Sequence, residues 1–142
     1  MAAGSVSLVQ AMQAALAAEN AAIFGYAVAG AHLSGARKTA AEQDWTGHTE
    51  ARDTLATMIS ALGVTPAAAQ AYYRLPFAVH NATTATALAA YLEDGVTRAY
   101  LGLVAVSGEK WRTFGALAMQ TSAQRAAFWR GATQAFPGLQ PS

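Results

Sequence analysis

Apolar residues recur at three- and four-residue steps in four stretches of the chain, and polar or glycine-containing segments separate them. From Ser7 to about residue 33, Leu8, Val9, Met12, Leu16, Ile23, Tyr26 and Gly30 fall on one stripe when successive residues turn by about 100°. Ser5 or Ser7 offers an N-cap oxygen at its start. After Ser34-Gly35 and the basic pair Arg37-Lys38, a second stripe over 39–62 runs through Ala41, Trp45, His48, Arg52, Leu55, Ile59 and Leu62, and Gly63 ends it. A third, over 84–106, carries Leu88, Leu92, Val96, Ala99, Tyr100 and Leu103 behind a cap at Asn81 or Thr83. The fourth, over 109–132, turns Trp111, Phe114, Leu117, Ala118, Phe128 and Ala132 inward. The pattern predicts an all-α chain of four helices.

The connections constrain how the helices are arranged. The first to the second and the third to the fourth are short turns at Ser34-Gly35 and Ser107-Gly108, so each pair forms a hairpin. Between the hairpins lie residues 63–83, with two prolines and no helical period, a length that ordinary loops in a compact domain do not need. A helix like the second spans about 35 Å at 1.5 Å per residue. A strap of this length is needed only if helices 2 and 3 run parallel, which predicts a four-helix bundle with one long crossover in a single domain over 1–142.

Composition narrows the partners. Charged residues are 12% and hydrophobic ones 54%, so apolar surface is left over for another chain, and a homodimer is expected. The net charge is +1 with both signs scattered, which argues against nucleic acid and against an anionic membrane surface. There is no cysteine, hence no thiolate chemistry, which fits a reducing cytoplasm. The N-terminal residues lack a basic n-region and are interrupted by Gln10, Gln13 and Glu19, so they read as neither signal peptide nor membrane span.

Charged residues inside apolar stripes are the candidate chemistry. Glu19 sits between Leu16 and Ile23, His48 and Arg52 lie with Leu55 and Ile59, and Thr121 and Arg125 lie with Leu117 and Phe128; Glu93 falls at the edge of the third stripe. Superimposing Ser34 on Ser107 brings Arg52 onto Arg125, His48 onto Thr121 and Glu19 to within one position of Glu93, which suggests one polar layer shared by both hairpins. An isolated buried carboxylate costs several kcal/mol, so an inward Glu19 needs a cation, a metal or a donor network. The expected arrangement is a metal-free layer in which Arg52 or Arg125 pairs with Glu19 while His48 and Thr121 complete the hydrogen bonds. The alternative is a mononuclear iron or zinc site from Glu19, His48 and Glu93, with oxidase or hydrolase chemistry.

The segments AAENAAIFGYAVAGAHLSGAR, HTEARD, YLEDGVTRAY and FWRGATQAFPGL together resemble the ferritin-like superfamily, and within it the alanine-rich ferritin-like proteins of unknown function from actinobacteria. Di-iron members take a Glu from each of two helices and a Glu-x-x-His pair from each of the other two. Glu19 and Glu93 match the first role; Trp45-Thr-Gly-His48 keeps the His but has Trp for the acid; Thr121-Ser-Ala-Gln-Arg125 has neither. The resemblance therefore implies a degenerate site with no di-iron centre and no ferroxidase activity, and the expected role is structural or binding rather than catalytic.

Other polar and aromatic residues receive plainer assignments. Glu42, Asp44, Glu50, Asp53 and Asp94 read as a solvated face, His32 and His80 as surface residues, and Trp45, Trp111 and Trp129 as core or interface aromatics. Tyr72, Tyr73 and Phe77 pin the crossover to the bundle, and a small-molecule groove beneath them is a further alternative.

Overall fold

Helix α1 (Leu8–Gly30) begins where Ser7 and Gln10 cap one another: Ser7 Oγ accepts the Gln10 N–H at 3.1 Å, and Gln10 Oε1 accepts the Ser7 N–H at 2.8 Å. The computed structural model describes residues 7–131, so Ser5 and Ala132 lie outside the described residues. Helix α3 (Ala82–Val106) starts in the same way, with Asn81 Oδ1 accepting the Thr84 N–H at 2.8 Å and Thr84 Oγ1 accepting the Asn81 N–H at 3.2 Å.

Helix α2 (Gly35–Ala61) starts four residues earlier than its charge pattern suggests, placing Arg37 and Lys38 in the first turn against the helix dipole. Gly35, at φ +59°, turns the chain sharply after the buried Leu33, and the packing of Ala41 into the core outweighs the electrostatic cost. At its other end Gly63 adopts φ +75°, its N–H donates to the Ser60 carbonyl at 2.9 Å and that of Val64 to Ile59 at 3.4 Å, the paired bonds that close a helix C-terminus on a left-handed glycine. Helix α4 (Glu109–Trp129) follows α3 across Ser107-Gly108.

Side-chain contacts fix the helix directions. Along α1 from Glu19 to Tyr26, the partners on α2 fall from His48 to Asp44 and those on α3 from Tyr100 to Glu93. Helices α2 and α3 are thus both antiparallel to α1 and parallel to each other. Helix α4 rises with α1, since Phe114 packs on Tyr100 and Trp129 packs on Tyr26. The connection over 62–81 climbs the outside of α1: Gln13 Nε2 donates to the Thr65 carbonyl at 2.9 Å, Gln13 Oε1 accepts the Ala67 N–H at 2.8 Å, and Tyr72 and Tyr73 pack on Phe24. It then crosses to α3, where Phe77 meets Tyr91 edge-on. The molecule is an all-α four-helix bundle with one long crossover. Among the described residues, no helix is long and apolar enough to cross a membrane.

Helix α4 departs from its expected orientation. Gly115, Ser122, Ala126 and Trp129 face the core, while Leu117 is 61% and Phe128 47% exposed. The small residues decide this: a Cβ at Gly115 would stand 3.0 Å from Val104, so the α3 and α4 backbones meet through a face too narrow for the larger side chains. On α2, Trp45 is 41% exposed and Leu62 is also exposed, leaving Ala41, His48, Leu55 and Ile59 as its buried line.

Candidate functional site

Halfway along the bundle, one imidazole joins two carboxylates. His48 Nδ1 lies 2.5 Å from Glu19 Oε2 and Nε2 lies 2.7 Å from Glu93 Oε1, and all three side chains are buried. The other Glu19 oxygen accepts from Tyr100 OH at 2.6 Å, and Glu93 Oε1 accepts a second bond from Tyr26 OH at 2.7 Å. Glu93 Oε2 is buried with no partner among the described residues. The Tyr26 hydroxyl also lies 3.2 Å from Asp44 Oδ2, to which the Trp129 indole N–H donates at 2.9 Å, and Arg125 Nε stands 3.3 Å from Asp44 Oδ1. A continuous chain of polar contacts thus runs from Tyr100 through Glu19, His48, Glu93, Tyr26 and Asp44 to Arg125, touching all four helices.

Burial and charge set the protonation of this chain. Burial alone would lower the His48 pKa, but the hydrogen bonds and negative charges of Glu19 and Glu93 outweigh it and raise the ring to about 9. Burial, reinforced by the neighbouring carboxylates, pushes Tyr26 and Tyr100 far up, so both phenols remain donors. Burial also raises Asp44, although the Trp129 hydrogen bond and the Arg125 charge work against it. Chemically, the cluster holds a proton: an imidazolium with both N–H groups directed at separate carboxylates.

Several sequence-derived positions are corrected. Arg52 does not reach Glu19; its Nε donates to Asp53 at 3.0 Å at the surface. Arg125 serves Asp44 instead of Glu19, because α4 is rotated about its axis. Thr121 is exposed and shares with Arg125 a cleft of about 350 Å³ between α2 and α4. Glu93 is fully buried, not at an edge, and Asp44 belongs to the network rather than to a solvated face. Tyr72, 67% exposed, and Tyr73 clasp Phe24, and Phe77 packs on Tyr91.

Tyr26, Tyr100, Asp44 and Trp129 are the members that sequence reasoning did not place in the layer. A signal existed for three of them. Tyr26 follows Glu19 by seven residues and Tyr100 follows Glu93 by seven, two helical turns on the same face, while Asp44 precedes His48 by four. Trp129 became legible only once the face of α4 was known.

The alternative ligand set of Glu19, His48 and Glu93 does not fit a single ion in this arrangement. A metal needs an unprotonated ring nitrogen and carboxylate oxygens converging on one point. Here the ring lies between the acids with each nitrogen committed to a different one, and no three His, Cys, Asp or Glu among the described residues are grouped to hold an ion.

Comparison with known proteins adds a structural relative. The fold matches the crystal structure of a conserved hypothetical protein, rv2844, from Mycobacterium tuberculosis, with a TM-score of 0.83 and 32% sequence identity, covering 86% of this chain and 93% of that one. A search of curated proteins finds no match. The family described as "Domain of unknown function (DUF4439)" matches residues 11–141, which takes in all four helices and the whole polar chain, and the protein belongs to that family.

Proposed function

We propose that the protein is a non-catalytic, ferritin-like four-helix bundle in which a proton occupies the layer that metal-bearing relatives give to iron. The observation that carries this reading is the double engagement of His48: each ring nitrogen faces its own carboxylate, at 2.5 Å and 2.7 Å. One imidazolium set between Glu19 and Glu93 supplies a single positive charge to the pair, part of what iron would otherwise supply. Of the ligands in the di-iron pattern, Trp45 stands in place of one acid and the Thr121–Arg125 stretch supplies neither acid nor His. In this reading the layer sets the register of the helices, and the protein works as a structural or binding module, paired with a second copy through its apolar outer surface, in the cytoplasm.

Two measurements test it. Elemental analysis of protein purified without chelator is expected to give far less than one equivalent of iron or zinc per chain, and the 15N shifts of the His48 ring are expected to be those of an imidazolium near neutral pH. Stoichiometric metal that disappears in Glu19→Ala would overturn the reading. Sedimentation at micromolar concentration tests pairing, and a monomer there removes it. Small-molecule binding is a second reading, favoured by the cleft of about 520 Å³ between α1 and α2.

A further inference from the structure

We propose that the cleft between α1 and α2 binds an uncharged, flat aromatic molecule. The inference rests on the binding-module reading and names its ligand class, using atoms other than those that hold the proton. The cleft measures about 520 Å³, within the roughly 300–1,000 Å³ of small-molecule sites. Two aromatic side chains wall it, Tyr26 at its inner end and Trp45 on α2, and Trp45 keeps 41% of its surface exposed on a helix whose remaining buried line is aliphatic or imidazole. Between them the wall is shallow because Gly30 and Ala41 are small; a Cβ built on Gly30 meets no atom within 4 Å, so open space lies directly over the backbone there. A ring system can lie over this open floor against the indole.

Charge on the rim decides the class further. Lys38 and Glu42 stand one turn apart on α2 at the mouth, and neither takes part in an ion pair among the described residues. They cancel: an anionic ligand drawn to Lys38 meets Glu42, and a cation meets the reverse. A neutral molecule with polar substituents along one edge satisfies both, with Thr46 beside them. The inner wall is also connected to the core, because the Tyr26 hydroxyl contacts both Glu93 and Asp44 and its ring lies 5.3 Å from that of His48.

The test uses two probes that share their rings and differ in charge: phenylnaphthylamine, which is neutral, and anilinonaphthalene sulfonate, which is anionic. The full chain is expected to bind phenylnaphthylamine saturably at one site, with quenching of Trp45 and a shift of the His48 ring resonances. Gly30→Phe, which fills the open space, is expected to weaken binding by about tenfold or more, a loss of about 1.4 kcal/mol, without lowering the melting temperature. Should Gly30→Phe fold poorly, Ala27→Leu at the exposed edge of the same cleft serves instead, with weakening again expected. Absence of saturable binding, binding indifferent to both substitutions, or tighter binding of the sulfonate would each overturn the proposal. None of these results touches the metal content or the imidazolium signal, so the site can fail while the proton-centred core stands.

Discussion

The Tyr26 hydroxyl donates to Glu93 at 2.7 Å, and its counterpart Tyr100 donates to Glu19 at 2.6 Å, so each glutamate is held by the tyrosine that follows the other by seven residues. Glu19 and Tyr26 belong to the first hairpin, Glu93 and Tyr100 to the second, and the two pairs cross between α1 and α3. His48 lies between the glutamates and has no such counterpart, because Thr121 on α4 is turned outward. The layer is therefore nearly two-fold in its acids and phenols and asymmetric in its one base. Removal of that base leaves two buried carboxylates without a counter-charge.

His48→Ala is accordingly expected to be more damaging than loss of any arginine. Breaking a buried charge pair by deleting one partner costs about 3–5 kcal/mol, which is a large share of the total stability of a domain. Arg125→Ala removes a mostly buried pair with Asp44, which keeps its Trp129 donor, and is expected to cost about 2 kcal/mol; Arg52→Ala removes a surface contact with Asp53 and is expected to cost at most about 1 kcal/mol. Urea denaturation of the three variants measures the order. An Arg125→Ala cost equal to that of His48→Ala would mean that the arginine carries the layer.

The same cluster makes stability depend on pH in a definite direction. His48 titrates at about 9 in the folded chain, above its unfolded value of about 6.5. Its contribution is therefore complete below about pH 6.5 and is lost as pH rises through about 9, amounting to about 3 kcal/mol. Asp44, also raised, acts with the same sign at the acidic end, since its ionised form is disfavoured on folding. Denaturation midpoints between about pH 6 and about pH 10 should fall steadily in the natural protein. In His48→Gln the same series should be nearly flat over that range.

How much of this the sequence displayed depended on the kind of signal. Helices α1 and α3 were legible because their apolar stripes are long and capping residues stand before each, Ser7 and Asn81 being the ones used out of the two offered at each start, and the parallel order of α2 and α3 followed from the length of the crossover. Helix α4 was not: it carries a large apolar face through Leu117 and Phe128 and a small one through Gly115, Ser122 and Ala126, and periodicity weighs the large face more heavily although close backbone approach selected the small one. That one rotation explains the misplaced partner of Glu19. It moved Arg125 from Glu19 to Asp44, turned Thr121 out of the layer and brought in Trp129, and sequence offers no direct measure of how closely two helices approach.

The bond from Trp129 to Asp44 separates a hydrogen-bonding role from a packing role. Trp129 is buried and packs on both Tyr26 and Phe128. Trp129→Phe keeps most of that contact while deleting the indole N–H, leaving Asp44 short of a donor, and is expected to cost about 1–3 kcal/mol. Tyr26→Phe removes the one phenol proton, which Glu93 accepts at 2.7 Å, together with the longer 3.2 Å contact to Asp44, and is expected to cost at least as much. The double variant should fall short of the sum, because both losses act through the same aspartate. Full additivity in the thermal-unfolding cycle would show that Asp44 does not link them.

The crossover provides a prediction that leaves the core alone. Gln13 closes a two-way clamp on the strap, donating to Thr65 and accepting from Ala67, and it is the first polar anchor after the chain leaves α2 at Gly63. Gln13→Ala deletes both bonds, yet the released backbone groups are exposed and can turn to water, so global stability should drop by only about 1 kcal/mol. Local opening should change much more: amide exchange at Ala67 is expected to speed up strongly while that of the α1 and α3 cores moves only with the small global loss. Exchange at Ala67 that follows the core one for one would mean that the strap opens only when the bundle unfolds, and that its aromatic clasp on Phe24, not Gln13, holds it in place.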